Sequence, residues 1–204
     1  PTIDWSLLIS TFPFENIREE SPVMDAHGRI FVGTADGMTG VDSVAREVLW
    51  METDGDHGRG TAVWGGSVVW GDVAPFSTLY CHDAATGEEL WTFQAAIGFN
   101  HQVPVVDPTG VVYVPDAFAT MYAREIEDGA EVWTSVVGDD VLCSPSLDYP
   151  SLLSSGGGPS GFDLVGLDPL TGDEHWSFHT NLEIYGMAAI HNGHVYVSSN
   201  DRFL

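Results

Sequence analysis

One segment of the sequence carries carboxylates at the spacing with which calcium-binding loops begin. In the run Asp54-Gly55-Asp56-His57-Gly58, two aspartates alternate with glycine, as at the start of an EF-hand loop. The twelfth position of such a loop needs a bidentate glutamate, and Gly65 stands there instead. We therefore interpret this segment as a solvated turn and predict no metal site.

The other residue types that carry enzyme chemistry are scattered along the chain. His175 and His179 are four residues apart, but their region is predicted to be a strand and its exit, not a helix that would place both on one face. Cys81 and Cys143 form no CxxC motif, and the sequence leaves open whether they pair. The sequence contains no P-loop, HExxH motif or Gly-x-Ser-x-Gly elbow. It therefore predicts no catalytic residue.

The charge balance excludes several classes of partner. Six basic residues, all arginine, stand against 30 acidic residues, and the formal net charge is −24. Nucleic acids and anionic membranes are bound through basic surfaces, so we expect neither as a partner. No apolar run is long enough for a transmembrane segment. A lysine-free, acid-rich surface is typical of a salt-loving organism, and an acidic secreted protein is the alternative.

An internal repeat is the strongest signal in the chain. Five tryptophans recur at spacings of 45, 41, 42 and 43 residues, namely Trp5, Trp50, Trp91, Trp133 and Trp176. In phase with them, residues 110–114 and 193–197 share a Gly-x-Val-Tyr-Val pattern, which favours a strand. An Asp-x-x-Thr-Gly turn then precedes the tryptophan, because aspartate bonds backbone N–H groups and glycine accepts a positive φ. The two clearest turns run from Asp83 to Gly87 and from Asp168 to Gly172.

Four short strands every 41–45 residues predict an all-β protein, a β-propeller of four-stranded antiparallel blades with about five repeat units. One such sheet cannot cover both of its faces, so neighbouring blades must pack together with the tryptophans between them. We expect a single domain over residues 1–204, in which the last strand of each unit ends at its tryptophan. The glycine-rich residues 154–161 are predicted to form a flexible loop between strands of the fourth unit.

This repeat resembles that of the PQQ-like, quinoprotein-type β-propellers. The pattern Leu-Tyr-x-x-Asp-x-x-Thr-Gly-x-x-x-Trp is matched best at residues 79–91 and is carried well at 110–133 and 162–176. The resemblance covers essentially the whole chain and is specific for the fold. Rings of this family usually have seven or eight blades. Two arrangements therefore stay open: a ring of five completed by the N-terminal strand, and a segment of a longer propeller.

The resemblance is compatible with three alternative functions. The first is a non-catalytic, extracytoplasmic scaffold module that binds a protein partner without a cofactor, as a monomer or as part of a longer chain. The alternative is a dehydrogenase that uses pyrroloquinoline quinone with calcium, although the adjacent cysteine pair of the alcohol-oxidising members is absent here. The third is the ligand-sensing ectodomain of a larger protein.

In a propeller, the connection from the last strand of one blade to the first strand of the next lies at one end of the central channel. Convergent polar groups at a channel mouth are suited to hold a ligand or a cofactor. The candidate residues at these connections are Asp54, His57, Asn100, His101, Asp139, Asp140, Asn181 and Glu183. Asn100 and His101 rank first, because they directly precede a predicted strand close to the axis.

Overall fold

The computed structural model describes residues 6, 21–34, 37–53, 58–72, 77–96, 98–99, 102–138, 143–149, 151–158 and 161–201. These residues form 18 β-strands in five antiparallel sheets, and no helix occurs among them. No described segment could therefore cross a membrane as a helix. Four sheets have four strands each, and the fifth has two described strands. The predicted all-β architecture of four-stranded antiparallel blades is confirmed.

The strands of each blade pair in chain order, from the innermost to the outermost. The first blade contains β1 (Val23–Met24), β2 (Arg29–Thr34), β3 (Gly37–Asp42) and β4 (Glu47–Glu52). The second contains β5 (Arg59–Trp64), β6 (Ser67–Gly71), β7 (Thr78–Asp83) and β8 (Glu89–Gln94). The third contains β9 (Val105–Val106), β10 (Val111–Pro115), β11 (Thr120–Glu125) and β12 (Glu131–Val136).

The fourth blade and the fifth sheet continue the same order. The fourth blade contains β13 (Ser146–Asp148), β14 (Ser151–Gly158), β15 (Gly161–Leu167) and β16 (Glu174–Thr180). The fifth sheet contains β17 (Ala189–His191) and β18 (His194–Tyr196). Among the described residues, no strand pairs with the outer side of β18.

The expectation that the last strand of each unit ends at its tryptophan is wrong. β4 continues two residues past Trp50, and β16 continues four residues past Trp176. In all four blades the pairing register shifts immediately before the tryptophan. The unpaired residues of these β-bulges are Leu49, Leu90, Val132 and His175. Because a bulge bends its strand and increases the local twist, it changes the direction in which the following indole points.

The glycine-rich residues 154–158 do not form the predicted loop, and residues 159–160 of that prediction lie outside the described residues. Residues 154–158 and 161 lengthen the β14–β15 hairpin, in which Gly156 pairs with Asp163, Gly157 with Phe162 and Gly158 with Gly161. Glycine loses more conformational entropy in a strand than other residues do. Its N–H and C=O groups are nevertheless as able to pair as those of any residue, and the facing strand supplies them with partners.

The apolar core lies between neighbouring blades. Trp91 of β8 is buried in a cluster with Tyr122 and Ile126 of the third blade. Similar clusters join the first blade to the second around Trp50, and the third blade to the fourth around Trp133. Burial of one such aromatic side chain stabilises a fold by about 2–3 kcal/mol. The tryptophans of the first three blades are therefore a main connection to the next blade, whereas the fourth blade packs on the fifth sheet through a cluster that contains Leu153, Leu164 and Ile184.

Candidate functional site

Each of the first three blades docks its tryptophan on the outer turn of the next blade. The turn joins the third and fourth strands of that blade, and the carbonyl of its second residue accepts a hydrogen bond from the indole Nε1–H. The three bonds run from Trp50 to Ala84 (3.2 Å), from Trp91 to Ile126 (2.8 Å) and from Trp133 to Pro169 (2.8 Å). These bonds satisfy the polar atom of an otherwise buried ring.

The fifth residue of each turn is a glycine, and two observations explain why. Gly87, Gly129 and Gly172 have φ values of 74°, 71° and 74°, a conformation that side chains rarely adopt. A Cβ atom at these positions would also lie only 2.5–2.7 Å from the docked indole. We call the second-residue carbonyl and the fifth-residue glycine of such a turn a tryptophan socket.

The fourth tryptophan meets no socket among the described residues. Trp176 is 38% exposed, whereas Trp50, Trp91 and Trp133 are each 8% exposed. The outer hairpins of the second to fourth blades carry the three sockets, but only the two inner strands of the fifth sheet are described. The indole of Trp176 is thus the one member of this described series that faces solvent.

Phe178 extends the exposed face of Trp176, because residues two apart on a strand lie on the same side. Phe93 is the matching residue of β8. Its ring packs against Tyr122, with ring centroids 5.0 Å apart, and under the guanidinium of Arg124, which is 3.5 Å from the centroid. Phe178 is exposed instead.

Further large apolar side chains are exposed in the segment that follows β16. We call the exposed large apolar residues of β16 and of the described residues after it, apart from Met187, the edge surface, and they are Trp176, Phe178, Leu182, Tyr185 and Tyr196. Met187 is exposed as well, but it lines the cavity beside the inner strands. Four of the five are aromatic, a residue class that is enriched at protein interfaces. The sequence offered no signal for it, because exposure of a tryptophan depends on what the next unit places over it.

Most of the polar residues predicted to bind a ligand cannot be located. Asp54, His57, Asn100, His101, Asp139 and Asp140 lie outside the described residues. Asn181 and Glu183 are described, and they hold the connection after β16 to the turn after β18. The N–H of Asn181 donates to Asp201 Oδ2 (3.3 Å), and Asn200 Nδ2 donates to Glu183 Oε2 (3.4 Å).

The histidines and cysteines singled out in the sequence form no shared site in the described structure. His175 and His179 both lie on β16, so that the expected strand exit falls later than predicted. His179 Nδ1 lies 2.9 Å from Asp163 Oδ1, and His175 Nε2 lies 3.5 Å from Asp168 Oδ2. Cys81 and Cys143 are buried and unpaired. Within the described ranges, no three His, Cys, Asp or Glu side chains could share a metal ion.

A cavity of about 520 Å³ lies beside the inner strands β9, β13 and β17. Its described lining is mainly apolar, and the polar side chains in it are Ser146 and Asp148. Ser146 Oγ donates to the carbonyl of Ala188 at 2.7 Å, so its hydroxyl is used by the fold. A tricarboxylate quinone with calcium needs several oxygen ligands for the ion and cationic or N–H donors for its carboxylates. The described lining does not fit that group.

A buried histidine lies at the contact between the first and second blades. His82 is fully buried, and its ring stacks with Trp70, with centroids 5.9 Å apart, and with Trp50 at 6.1 Å. Trp70 Nε1–H donates to His82 Nδ1 at 3.1 Å, which assigns the proton of the neutral ring to Nε2. That nitrogen faces Glu52 Oε2 at 3.6 Å. Burial lowers the pKa of His82 and favours this neutral form.

A buried carboxylate supports the socket that holds Trp133. Tyr113 lies with its hydroxyl 3.1 Å from the Pro169 carbonyl of that socket and 3.1 Å from Asp107 Oδ2. Asp107 also accepts hydrogen bonds from the N–H groups of Val111 and Thr109, at 3.0 and 2.8 Å. Burial alone would raise the pKa of Asp107, but these hydrogen bonds outweigh it and lower the pKa.

Comparisons with known proteins identify the family and the fold of this chain. Residues 75–201 match the PQQ_2 family model, which is described as outer membrane protein assembly factor BamB. No curated protein matches the sequence significantly. BamB from Moraxella catarrhalis has a similar structure, with a TM-score of 0.70 and 19% identity, over 88% of this chain and 57% of that one.

Two other solved structures are similar to the chain. Quinohemoprotein alcohol dehydrogenase from Comamonas testosteroni has a TM-score of 0.67 and 17% identity, over 88% of this chain and 39% of that one. The computationally designed Ika8 protein has a TM-score of 0.76 and 15% identity, over 89% of this chain and 55% of that one. The chain thus spans between 39% and 57% of the length of these three structures. These likenesses confirm the predicted β-propeller fold and the PQQ-like repeat.

Proposed function

The chain belongs to the PQQ_2 family, described as outer membrane protein assembly factor BamB, and from this premise we propose that it is a non-catalytic β-propeller module that binds another protein. The proposed module acts outside the cytoplasm, by analogy with the outer-membrane role in the family description. It needs no cofactor, because apolar contact and hydrogen bonding are sufficient for such binding.

The edge surface carries the proposal. Soluble proteins expose single apolar side chains everywhere, but a concentration of large ones marks an interaction site. Tryptophan and tyrosine are also the residues whose truncation most often abolishes binding at protein interfaces. Both kinds of anchor are present here, because Trp176 and Tyr185 are exposed within ten residues of each other.

No specific observation on the described residues favours the quinone-dependent dehydrogenase or the ligand sensor over this proposal. The cavity beside the inner strands has an apolar described lining with Asp148 as its charged side chain. A titration with pyrroloquinoline quinone and excess Ca²⁺ tests the dehydrogenase directly. A saturable change in absorbance together with a rise in melting temperature would replace the scaffold proposal.

Site-specific photo-crosslinking tests the proposed function. A photoreactive phenylalanine analogue is placed at Phe178 or at Tyr185, and the protein is irradiated in the cell envelope of its own organism. The control position is Val44, an apolar residue of the first blade that is 83% exposed. We expect one discrete adduct from the two edge positions and none from position 44. Adducts of equal yield from all three positions, or none from the edge surface, would contradict the proposal.

A further inference from the structure

A cleft of about 390 Å³ lies between the first two blades, at the turns that join β1 to β2 and β5 to β6. We call it the junction cleft. Its lining includes Met24 and Asp25 from the first blade and Val63, Gly66 and Ala84 from the second. Both blades are described through all four of their strands. The volume falls within the range of about 300–1,000 Å³ that is typical of small-molecule sites.

The junction between the second and third blades contains an equivalent place. In the second blade, the N–H of Ala84 donates to the carbonyl of Gly66 at 2.8 Å. In the third blade, the N–H of Ile126 donates to the carbonyl of Gly110 at 2.9 Å. Gly66 and Ala84 of the junction cleft therefore correspond to Gly110 and Ile126 one blade later.

At this next junction the space is filled by an indole. A Cβ atom at Gly110 would lie 3.1 Å from Cη2 of Trp64 and 3.2 Å from Cγ2 of Ile126, so both side chains pack against the glycine. A Cβ atom at Gly66 would meet nothing within 4 Å. The same position of the repeat is thus covered in the third blade and open in the second.

Two differences within the repeat account for the open cleft. Trp64 ends β5 and pairs with the residue that follows the turn glycine. Asp25 occupies the matching place in the first blade, because its N–H donates to the carbonyl of Arg29, which follows the turn glycine there, at 3.0 Å. Ala84 likewise stands where the third blade has Ile126. The first junction therefore lacks both the ring and the branched side chain that fill the second.

The carboxylate at the junction cleft is already matched by partners of its own blade. Asp25 Oδ2 accepts a hydrogen bond from Nε of Arg29 at 2.6 Å, in an ion pair. Asp25 Oδ1 accepts from the N–H groups of His27 and Arg29, both at 2.9 Å. A charged ligand would have to be desolvated without gaining this carboxylate as a free partner. The described lining therefore favours an uncharged ligand.

We infer that the junction cleft is a binding site for an uncharged aromatic small molecule with a ring system about the size of an indole. The ring lies over Gly66 and beside Ala84, as Trp64 lies over Gly110 and beside Ile126. The site is built from the first two blades, whereas the edge surface begins at β16. The inference is therefore independent of the proposed function.

Methionine-methyl NMR of the full chain tests binding at this site. Met24 lines the junction cleft and Met187 lines the cavity beside the inner strands, so their two signals distinguish the sites. The methyl-labelled protein is titrated with indole, and Met24→Leu and Met187→Leu assign the signals. We expect the ring current of bound indole to shift the Met24 signal saturably and to leave Met187 unchanged. A saturable shift at Met187 with none at Met24, or at neither residue, would overturn the inference.

A matched pair of variants locates the ring within the cleft. Ala84→Ile places at the first junction the side chain that occupies the second, and we expect it to weaken indole binding, read at Met24, at least about tenfold. Ile126→Ala changes the matching turn of the third blade and should leave this affinity unchanged. Circular dichroism checks the fold, and Ala84→Val offers a smaller change in the same direction. Equal affinity of wild type and a folded Ala84 variant would overturn the inference.

The tryptophan side chain of a polypeptide carries the same ring, so a peptide is titrated in parallel. The probe is Gly-Gly-Trp-Gly-Gly amide, read by the same Met24 signal. Because the cleft has the volume of a small-molecule site, we expect the peptide to bind more weakly than indole. Tighter binding of the peptide than of indole would identify a polypeptide as the occupant and overturn the assignment to a small molecule.

Discussion

Trp133 and Trp176 occupy the same place in successive blades and meet opposite environments. Trp133 is 8% exposed and is held by the Pro169 carbonyl, whereas Trp176 is 38% exposed without a described socket. Each of the two residues directly follows a β-bulge in the fourth strand of its own blade. The difference shows that the tryptophan of a blade is exposed unless the outer hairpin of the next blade covers it.

The junctions between blades therefore stabilise the fold, and they also show which interactions Trp176 can make. Each junction combines burial of a large ring, one hydrogen bond and a close approach to glycine. The same three interactions are available at Trp176 to a polypeptide from outside the described residues. Substitution of Trp133, which occupies a socket, should therefore lower the free energy of unfolding strongly, whereas substitution of Trp176 should lower it little.

The largest expected difference is between Trp133→Ala and Trp176→Ala. Removal of a buried tryptophan leaves a cavity and costs about 3–5 kcal/mol of unfolding free energy. Trp176 is already partly hydrated, so we expect its replacement to cost less than about 2 kcal/mol. Urea denaturation of both variants at the same salt concentration measures the difference. Equal losses would show that Trp176 is docked as firmly as Trp133.

A second pair of variants separates close approach from backbone conformation. Gly172 and Gly193 have almost the same φ, 74° and 72°, but only Gly172 lies against an indole. Gly193→Ala should cost about 1–2 kcal/mol, the strain of alanine at positive φ. Gly172→Ala adds an overlap with Trp133 and should cost about 1–3 kcal/mol more. Similar melting temperatures for the two variants would remove the argument that the socket requires glycine.

The socket of Trp133 should also weaken in acid. The pKa of Asp107 is lowered in the folded protein, so its stabilising effect is fully present above the unfolded value, near 3.8. That effect is lost as the pH falls through the lower folded pKa. Asp107→Asn should cost about 1.5–3 kcal/mol at pH 7, the range for hydrogen bonds to a charged group. The gap between wild type and variant should close below pH 4, and a constant gap in denaturation curves would contradict this assignment.

The smallest expected effect is at Phe178. Phe178→Ser removes an exposed ring and should change the unfolding free energy by no more than about 0.5 kcal/mol. Phe93→Ser, its packed counterpart under Arg124, should destabilise the protein clearly by the same measurement. The two variants should behave oppositely in binding, because only Phe178→Ser weakens crosslinking from Tyr185. Loss of stability at Phe178 would indicate that the ring is covered within the chain.

The repeat can be predicted from the sequence because its turns and strands depend on interactions between residues close together in the chain. Asp83 accepts hydrogen bonds from the N–H groups of Ala85 and Thr86, and Gly87 supplies the positive φ, so the turn can be predicted from five residues. The period of the tryptophans follows from the four strands that each blade needs. The predicted order of strands and turns therefore corresponds closely to the structure.

Longer-range features could not be read in the same way. The carbonyl that receives Trp91 belongs to Ile126, 35 residues later, and nothing in either local sequence marks the pair. The glycines of β14 predict a loop because their composition favours flexibility, but the facing strand decides their pairing. The candidate polar residues follow from the expected position of the connections between blades, and six of the eight lie outside the described residues.

The most direct test of the account is a residue-resolved footprint of Trp176 in two settings. Hydroxyl-radical labelling is measured in the purified protein and in the cell envelope of its own organism, with Trp133 as the internal reference. The account predicts that Trp176 is labelled about five times as fast as Trp133 in the purified protein, in line with exposures of 38% and 8%, and falls to the level of Trp133 in the envelope. Strong labelling of Trp176 in both settings would show that no partner covers this face.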